Sequence, residues 1–384
     1  MFENSNRAKD KMVPRVRGRR RPDRVRARLS INRRLQASAV AALWAILVVA
    51  GAAAASEAPH SRTLVTRQPV IAIAADGDRA ALVSGSRGVC ANVLVWEPTR
   101  RHVVRMRSAT RSECAEGQPV TRAVALAGTR VAWLQAGGGM TLETQVVTAT
   151  LAHHAPVTVG LTLSTSGTGD FSRNPVGDGA LLAFTVDRRC AEGEDSNPPC
   201  PPGRKTGDVI SASLWRVAGR GACPNSYGSV RRCTQIARAD GELTALAVDA
   251  GRVVARTIHG VQLLGAAGEV LQEFSVGVRQ ASLSGGRLVV RTTRAVEVYD
   301  VDSGDRLARL PAVAHLSLED LDGDILVTAV GKSVTLRRLG DGRTTTIRAG
   351  GLAHAQLESS GLFVAGGRRV TFTPMREVLR RLGG

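Results

Sequence analysis

The chain has 384 residues, of which 43% are hydrophobic, 22% charged and 3% aromatic. This composition excludes a disulfide-stapled miniprotein and a disordered chain, and it predicts a core of Val, Leu, Ile and Ala in one large or two smaller domains. The formal net charge is +19, but residues 1–55 hold 13 basic and 3 acidic residues and carry about half of it. Beyond residue 55 the basic residues are scattered singly, which argues against a nucleic-acid partner.

Residues 1–55 form one targeting segment, in which a basic region is followed by an uncharged apolar run from Ala37 to Ala55. The small residues before Ser56 predict a signal peptide that is cut there. The alternative is an uncleaved signal anchor, because the run approaches the length of about 20 residues that crosses a bilayer as a helix. Both predict an extracytoplasmic protein, secreted or in the cell envelope, that meets the membrane only through an uncleaved N-terminal helix.

The cysteines agree with export, because an even number of them in an exported chain predicts structural disulfides. Sequence proximity favours three pairs: Cys90 with Cys114, Cys190 with Cys200, and Cys223 with Cys233. The competing arrangement nests one pair inside another, Cys190 with Cys233 around Cys200 with Cys223. A zinc site is disfavoured, because no Cys-x-x-Cys motif is present and no His lies near the last four cysteines.

The body of the chain is a repeat. Segments that start at 243, 279, 315 and 354 share one template of four short alternating stretches separated by Gly or polar turns. Looser copies start at 71 and 121, and a third starts at 177 and resumes at 209. Short runs of alternating apolar residues bounded by turns are typical of β-hairpins. The first turn of each copy carries a glycine, which gives seven units: Gly77, Gly128, Gly179, Gly251, Gly286, Gly323 and Gly361.

Repeated four-stranded units predict an all-β fold, a β-propeller with seven four-stranded blades, preceded by the N-terminal apolar helix. In this division residues 56–62 are a short linker and 63–384 are the propeller, with a Cys-rich insertion at about 187–233. Residues 62–67 or 377–382 are the two candidates for the strand that completes the last blade. Six blades or a stack of two sheets are the alternatives.

Three of the third strands carry an aromatic residue at the second-last position of "VLVWE", "ASLWR" and "VEVYD", so Trp96, Trp215 and Tyr299 occupy equivalent places. This resembles the strand-ending Trp-Asp of WD-repeat propellers, and "VYDVDSGDRLARL" is similar to the turn of quinoprotein-like propellers, as in exported bacterial repeat proteins. The Gly-His element of WD repeats and the terminal Trp of quinoprotein blades are missing. The resemblance therefore implies the architecture and no cofactor, and the fold serves scaffolds, sensors and enzymes alike.

The candidate site residues are His315 and His354, which occupy the same place in consecutive copies, three residues before Leu318 and Leu357. This alignment predicts that both imidazoles line the central channel and lie close together. Two nitrogen donors without a third ligand make a poor metal site, so we expect no metal, and no catalytic set is visible. The acidic run from Glu319 to Asp324 is interpreted as a solvated turn.

Two functions are compatible with these features. The first is a non-catalytic binding or scaffold module that presents its loops to a protein or a cell-envelope polymer. The second is an enzyme or a small-molecule or metal-binding propeller with its site at the central channel, at His315 and His354.

Overall fold

Antiparallel strands make up nearly all of the described chain. The computed structural model describes residues 61–383 except 87–88, 118, 139–140, 166, 194–196 and 218–232. These residues belong to one compact unit, Ala58–Gly384. The predicted targeting segment and Cys223 lie outside the described residues. Within the described range, no helix is long and apolar enough to cross a membrane.

Five sheets have four strands each, and we call each of them a blade. Four of them follow the chain order. The first blade has strands β2 Val70–Asp76, β3 Arg79–Ser86, β4 Val89–Glu97 and β5 His102–Arg107, and the second has β15 Leu243–Asp249, β16 Arg252–Thr257, β17 Gly260–Leu264 and β18 Val270–Phe274. The third has β19 Gln280–Ser284, β20 Arg287–Arg291, β21 Ala295–Asp300 and β22 Arg306–Pro311, and the fourth has β23 Ser317–Asp322, β24 Ile325–Val330, β25 Ser333–Arg338 and β26 Thr344–Arg348. The fifth blade joins the two ends of the described chain, with strands β27 Ala353–Glu358, β28 Gly361–Gly366, β29 Arg369–Pro374 and β1 Arg62–Val65.

The remaining strands form one nine-stranded sheet. They are β6 Val120–Ala127, β7 Arg130–Gly137, β8 Thr141–Thr150, β9 His153–Thr165, β10 Thr168–Ser172, β11 Val176–Asp178, β12 Leu181–Arg189, β13 Val209–Val217 and β14 Cys233–Ala239. The prediction of seven four-stranded blades is therefore wrong, since the structure has five. The physical reason is that β9 runs for 13 residues and β10 pairs with both β9 and β12, which fuses the second and third copies.

The innermost strands form a closed ring in which each contacts the next: β2, β6, β11, β15, β19, β23, β27 and again β2. This ring makes the chain a β-propeller. The seven glycines that marked the repeats all have positive φ and turn the chain from each innermost strand into the next strand. At Gly77, where φ is +61°, the left-handed conformation would strain any residue with a Cβ atom.

The core lies between neighbouring sheets and is mainly aliphatic, as the low aromatic content predicted. Strands present apolar residues to both sides, so each sheet packs on two neighbours. Between the first and last blades, for example, Leu82 and Trp96 pack against Phe363 and Phe372.

Two disulfides hold surface segments to the sheets. Helix α1, Arg111–Glu116, lies in the linker between β5 and β6, and Cys114 within it is bonded to Cys90 of β4. The Cys190–Cys200 bond closes the insertion after β12, so the nested arrangement with Cys190 bonded to Cys233 does not occur. Cys233 is also disulfide-bonded.

Residues 62–65 close the ring, because β1 pairs with β29 through the register Arg62 with Phe372 to Val65 with Arg369. The other candidate segment lies in helix α2, Met375–Arg381. Within β1, Leu64 packs against the core between the first and last blades, whereas Thr63 is exposed.

We predict that Leu64→Asp lowers the melting temperature and that Thr63→Asp on the same strand leaves it nearly unchanged. A carboxylate at Leu64 would be partly desolvated without a partner and would weaken the strand that closes the ring, at a cost of about 1–3 kcal/mol. Thermal unfolding followed by circular dichroism measures both variants. Equal melting temperatures for the two would contradict the role of β1.

Candidate functional site: the central cavity

The innermost strands enclose a cavity of about 540 Å³ on the ring axis. Four of these strands contain a bulge, and each bulged residue lines the cavity: Ile71, Arg122, Leu246 and Glu319. A bulge adds one unpaired residue to a strand and changes the direction of its side chain. Local backbone irregularity therefore places a cation, an anion and two aliphatic groups on the cavity wall.

The end of the cavity where the innermost strands begin is basic. We call Arg122, Asn174, Arg279 and His354 the basic mouth, since all four line the cavity near the first residues of β6, β11, β19 and β27. Arg122, Asn174 and Arg279 are exposed. In the described part of the chain, neither guanidinium forms an ion pair or a side-chain hydrogen bond. This end therefore presents ten N–H donors, five on each guanidinium, with no acceptor assigned to them.

His354 faces a carboxylate across the cavity wall. Its Nδ1 lies 3.7 Å from Oε2 of Glu319, whose side chain is only 8% exposed. The same oxygen accepts a hydrogen bond of 3.0 Å from the backbone N–H of Ala355. The Glu319 carboxylate is thus held by the neighbouring strand, which fixes its position beside the imidazole.

The structure does not bring His315 to this site. His315 lies in an exposed turn between β22 and β23, with φ of 60°, and it does not line the cavity. Strand pairing aligns Asp322 with Glu358, and the bulge at Glu319 shifts the register by one residue, so Ser317 is the residue that corresponds to His354. The sequence alignment matched Leu318 with Leu357, but the structural match of Leu357 is Leu321, three residues later.

Gln280, at the place in β19 that His354 occupies in β27, ties two blades together. Its Oε1 accepts hydrogen bonds of 3.0 Å from the N–H of Leu318 and 3.2 Å from the Arg291 guanidinium. Its Nε2 donates to Ser317 Oγ at 3.1 Å. A polar side chain at this position therefore has a structural role in one blade and is available to a ligand in another.

The opposite end of the innermost strands is acidic. Five of the seven end in a carboxylate, and we call these residues the acidic ring: Asp76, Asp178, Asp249, Asp322 and Glu358. Several of them accept hydrogen bonds from turns of neighbouring strands. Asp76 accepts from the N–H groups of Gly128 and Gly179, Asp178 accepts from Ala250 at 3.0 Å, and Glu358 accepts from Gly77 at 3.1 Å. The carboxylates thus join consecutive turns around the ring.

Burial and mutual repulsion change the ionisation of these groups. Burial, together with the charges of Asp320, Asp76 and Asp178, raises the pKa of Glu358 to about 8. Burial also raises the pKa of Asp320, which precedes the ring residue Asp322 in β23, to about 7. Glu358 therefore carries a proton at neutral pH, which lowers the repulsion that a fully ionised ring would have.

Asp320 and Glu319 correct the interpretation of the acidic run as a solvated turn. Both lie inside strand β23, and Asp320 accepts hydrogen bonds from Ser282 Oγ at 3.1 Å and from the N–H of Leu357 at 2.8 Å. The acidic ring was not predicted from the sequence, although its signal is visible as an acidic residue shortly before the first-turn glycine in five copies. Arg122 and Arg279 were not predicted either, because no shared motif marks them.

Among the described residues, no group of three or more His, Cys, Asp or Glu side chains is arranged to hold a metal ion. The cavity carries Arg122 and Arg279 near the end where the innermost strands begin, and the acidic ring lies at the opposite end of the same strands, outside the cavity lining. A bound anion would gain charge-assisted hydrogen bonds at the first end and meet repulsion at the second.

No family model and no curated protein sequence matches this chain. Among solved structures, it is similar to a chain of the mitotic checkpoint complex, with a TM-score of 0.48, 10% identity, and coverage of 92% of this chain and 96% of that chain. For BamB from Moraxella catarrhalis the TM-score is 0.44 and the identity 10%, with coverage of 79% of this chain and 83% of that chain. For the β-propeller domain of Cps50 (Swd1) from Myceliophteria thermophila the TM-score is 0.48 and the identity 12%, with coverage of 82% of this chain and 99% of that chain. These similarities concern the fold alone.

We predict that Glu358→Gln flattens the pH dependence of stability. The folded state binds the Glu358 proton more tightly than the unfolded state, so this group's contribution to stability is fully present below pH 4.5 and is lost as the pH rises through about 8. Glutamine keeps an oxygen for the Gly77 N–H and loses no proton. The variant should therefore melt above the unmodified protein at pH 9, by roughly 2–4 °C for each kcal/mol regained.

Melting temperatures measured from pH 5 to pH 9 test this, with Glu116→Gln on the exposed face of α1 as the control. If the melting temperatures of Glu358→Gln and of the unmodified protein change with pH in parallel, ionisation of Glu358 does not destabilise the folded state.

Proposed function

We propose that this propeller is a non-catalytic binding module that works outside the cytoplasm and holds a protein or polymer partner through an acidic group. The observation that carries the proposal is that Arg122 and Arg279 line one cavity and that their guanidiniums have no ion pair or side-chain hydrogen bond among the described residues. Arg122 lies in β6 and Arg279 directly precedes β19, and these two strands are three places apart in the ring of seven innermost strands. An acidic group that enters the mouth is therefore contacted from two sides.

The charge gradient along the cavity supports a partner larger than the cavity. An anion gains most at the basic mouth and loses energy as it approaches the acidic ring. The favoured ligand is thus an acidic group that stays at the mouth while the rest of its molecule lies on the surface around it. A side chain of a protein or a charged unit of a polymer has this form.

A non-catalytic role is supported by the surroundings of His354. The only partner of its imidazole among the described residues is Glu319, which already accepts a backbone hydrogen bond. Nucleophilic catalysis needs a nucleophile and a base within hydrogen-bond reach of each other. The alternative function, an enzyme or metal site at His315 and His354, needs both imidazoles at the cavity, and of the two only His354 lines it.

The extracytoplasmic location is supported by the two disulfides and by the predicted targeting segment. Cys90–Cys114 and Cys190–Cys200 are both formed, and disulfides persist in oxidising compartments.

We predict that Arg122→Gln and Arg279→Gln each weaken binding of soluble poly-glutamate about tenfold, the loss expected for one hydrogen bond to a charged group. The full chain is titrated with poly-glutamate, alginate and polylysine by calorimetry at two salt concentrations. Arg105→Gln, an exposed arginine on outer strand β5, is the matched control.

Poly-glutamate binding with little alginate binding would indicate a protein partner, and the reverse would indicate a polymer. Binding of either polyanion that is unchanged in the double variant Arg122→Gln and Arg279→Gln would rule out the basic mouth.

We also predict that the cysteines are oxidised in the cells that make the protein. Rapid alkylation of intact cells, followed by mass spectrometry, should recover Cys90–Cys114 and Cys190–Cys200 as disulfide-linked peptides. Alkylated, reduced cysteines at all four positions would contradict the proposed location.

A further inference from the structure

The nine-stranded sheet carries a second cavity, away from the axis. This cleft has a volume of about 220 Å³ and lies on one face of β10, β12, β13 and β14, with Thr162 of β9 at its side. The strand register places its lining residues together: Arg188 pairs with Ser211, Val186 with Ser213, and Trp215 with Gln235. Asp170 and Arg238 complete the set from the two flanking strands.

The lining of the cleft departs from the rest of this sheet. On the opposite face, Ala183, Leu214 and Ile236 pack against Leu243 of the next blade. On the same face, Phe184 and neighbouring aliphatic residues belong to the core. Beyond Trp215 this face instead carries Ser, Arg, Asp and Gln side chains. A propeller is stabilised by apolar contact between sheets, so a polar, open stretch between core residues points to a role in binding.

Trp215 sits at the border between the two environments. Its ring packs against the core on one side, is partly exposed, and lines the cleft. Its Nε1–H donates a hydrogen bond of 2.7 Å to Ser213 Oγ, which fixes the orientation of the ring. Because the only polar atom of the indole is satisfied, the part of the ring that lines the cleft offers an apolar, polarisable surface.

The polar groups around the ring supply both donors and acceptors. Arg188 Nε lies 3.8 Å from Asp170 Oδ1, so these two charges partly balance. Arg238 is exposed and has no ion pair among the described residues. The guanidiniums only donate, the carboxylate accepts, and the Ser hydroxyls and the Gln235 amide do both.

We propose that this cleft binds one saccharide residue of a polymer partner. A pyranose ring has an apolar C–H face and a rim of hydroxyl groups that donate and accept hydrogen bonds, which matches an indole surface beside Asp170, Arg238 and the serines. A simple anion would have no use for the indole and would be repelled by Asp170. An apolar ligand would cover these polar groups without offering them hydrogen-bond partners.

This inference rests on the proposed function for its polymer, but its site is separate from the basic mouth. Arg122 and Arg279 line the axial cavity, and none of the residues of the cleft does. The two sites can therefore be tested independently in one preparation.

The test titrates the full chain with four soluble probes: cellotetraose, chitotetraose, trigalacturonate and adenosine. Binding is followed by calorimetry and by tryptophan fluorescence. Trp96 and Trp133 are buried, Trp215 is not, and Trp44 lies outside the described residues, so Trp215→Phe assigns a fluorescence change to Trp215. We expect at least one saccharide to bind with a fluorescence change, and Trp215→Ala to weaken it about tenfold or more. Ser211→Val should weaken it as well, and Arg105→Gln should leave it unchanged.

Trp215→Phe covers the case in which the alanine variant fails to fold, because it keeps an aromatic ring against the core. This variant should lose the fluorescence change and retain weakened binding. The inference is overturned if no saccharide binds at millimolar concentration, if only adenosine binds, or if saccharide affinity is the same in Trp215→Ala, Trp215→Phe and Ser211→Val. Poly-glutamate binding in the same preparation separates this failure from failure of the proposed function.

Discussion

Pairing of β1 with β29 closes the ring, and the axial cavity depends on that closure. Only when β27 meets β2 does every innermost strand have a neighbour on each side and the axial cavity have a continuous wall. Closure also removes the exposed strand edges that an open row of sheets would present. The strand that achieves it is only four residues long, so its half-buried Leu64 and the disulfides near the linkers matter more than their size suggests.

The charges within the ring follow from the same geometry. The last residues of the innermost strands converge on the axis, and carboxylates there are tolerated because backbone N–H groups of neighbouring turns bind them and because Glu358 keeps its proton near neutral pH. The first residues converge at the other end, where Arg122 and Arg279 have no such partners among the described residues. The acidic end of the strands thus has its carboxylates bound by the chain itself, and the other end has donors to offer a ligand.

Sequence patterns predicted what is local in this molecule. Turn glycines and alternating strands located the repeats, and the small aromatic content predicted an aliphatic core. The prediction failed where two local patterns compete or where strands distant in the chain meet. The bulge at Glu319 allows both Leu318 and Leu321 of β23 to be buried, so the alignment that placed His315 beside His354 matched Leu357 with the wrong leucine. The pairing of β10 with both β9 and β12, and the placement of Arg122 and Arg279 on one cavity, depend on contacts between different segments of the chain. The pattern of a single segment does not reveal such contacts.

The nine-stranded sheet connects the two sites, because β6 carries Arg122 at the axis and β13 carries Trp215 on the flank. Neither an acidic group at an exposed mouth nor one sugar residue in a small cleft gives high affinity alone, since each contact must offset the entropy lost in ordering its ligand. A polymer that carries both groups makes the second contact intramolecular once the first has formed, and the combined affinity then exceeds either one by orders of magnitude. In the proposed function, the fused sheet, which breaks the regular arrangement of blades, is the element that carries both contacts to an extended partner.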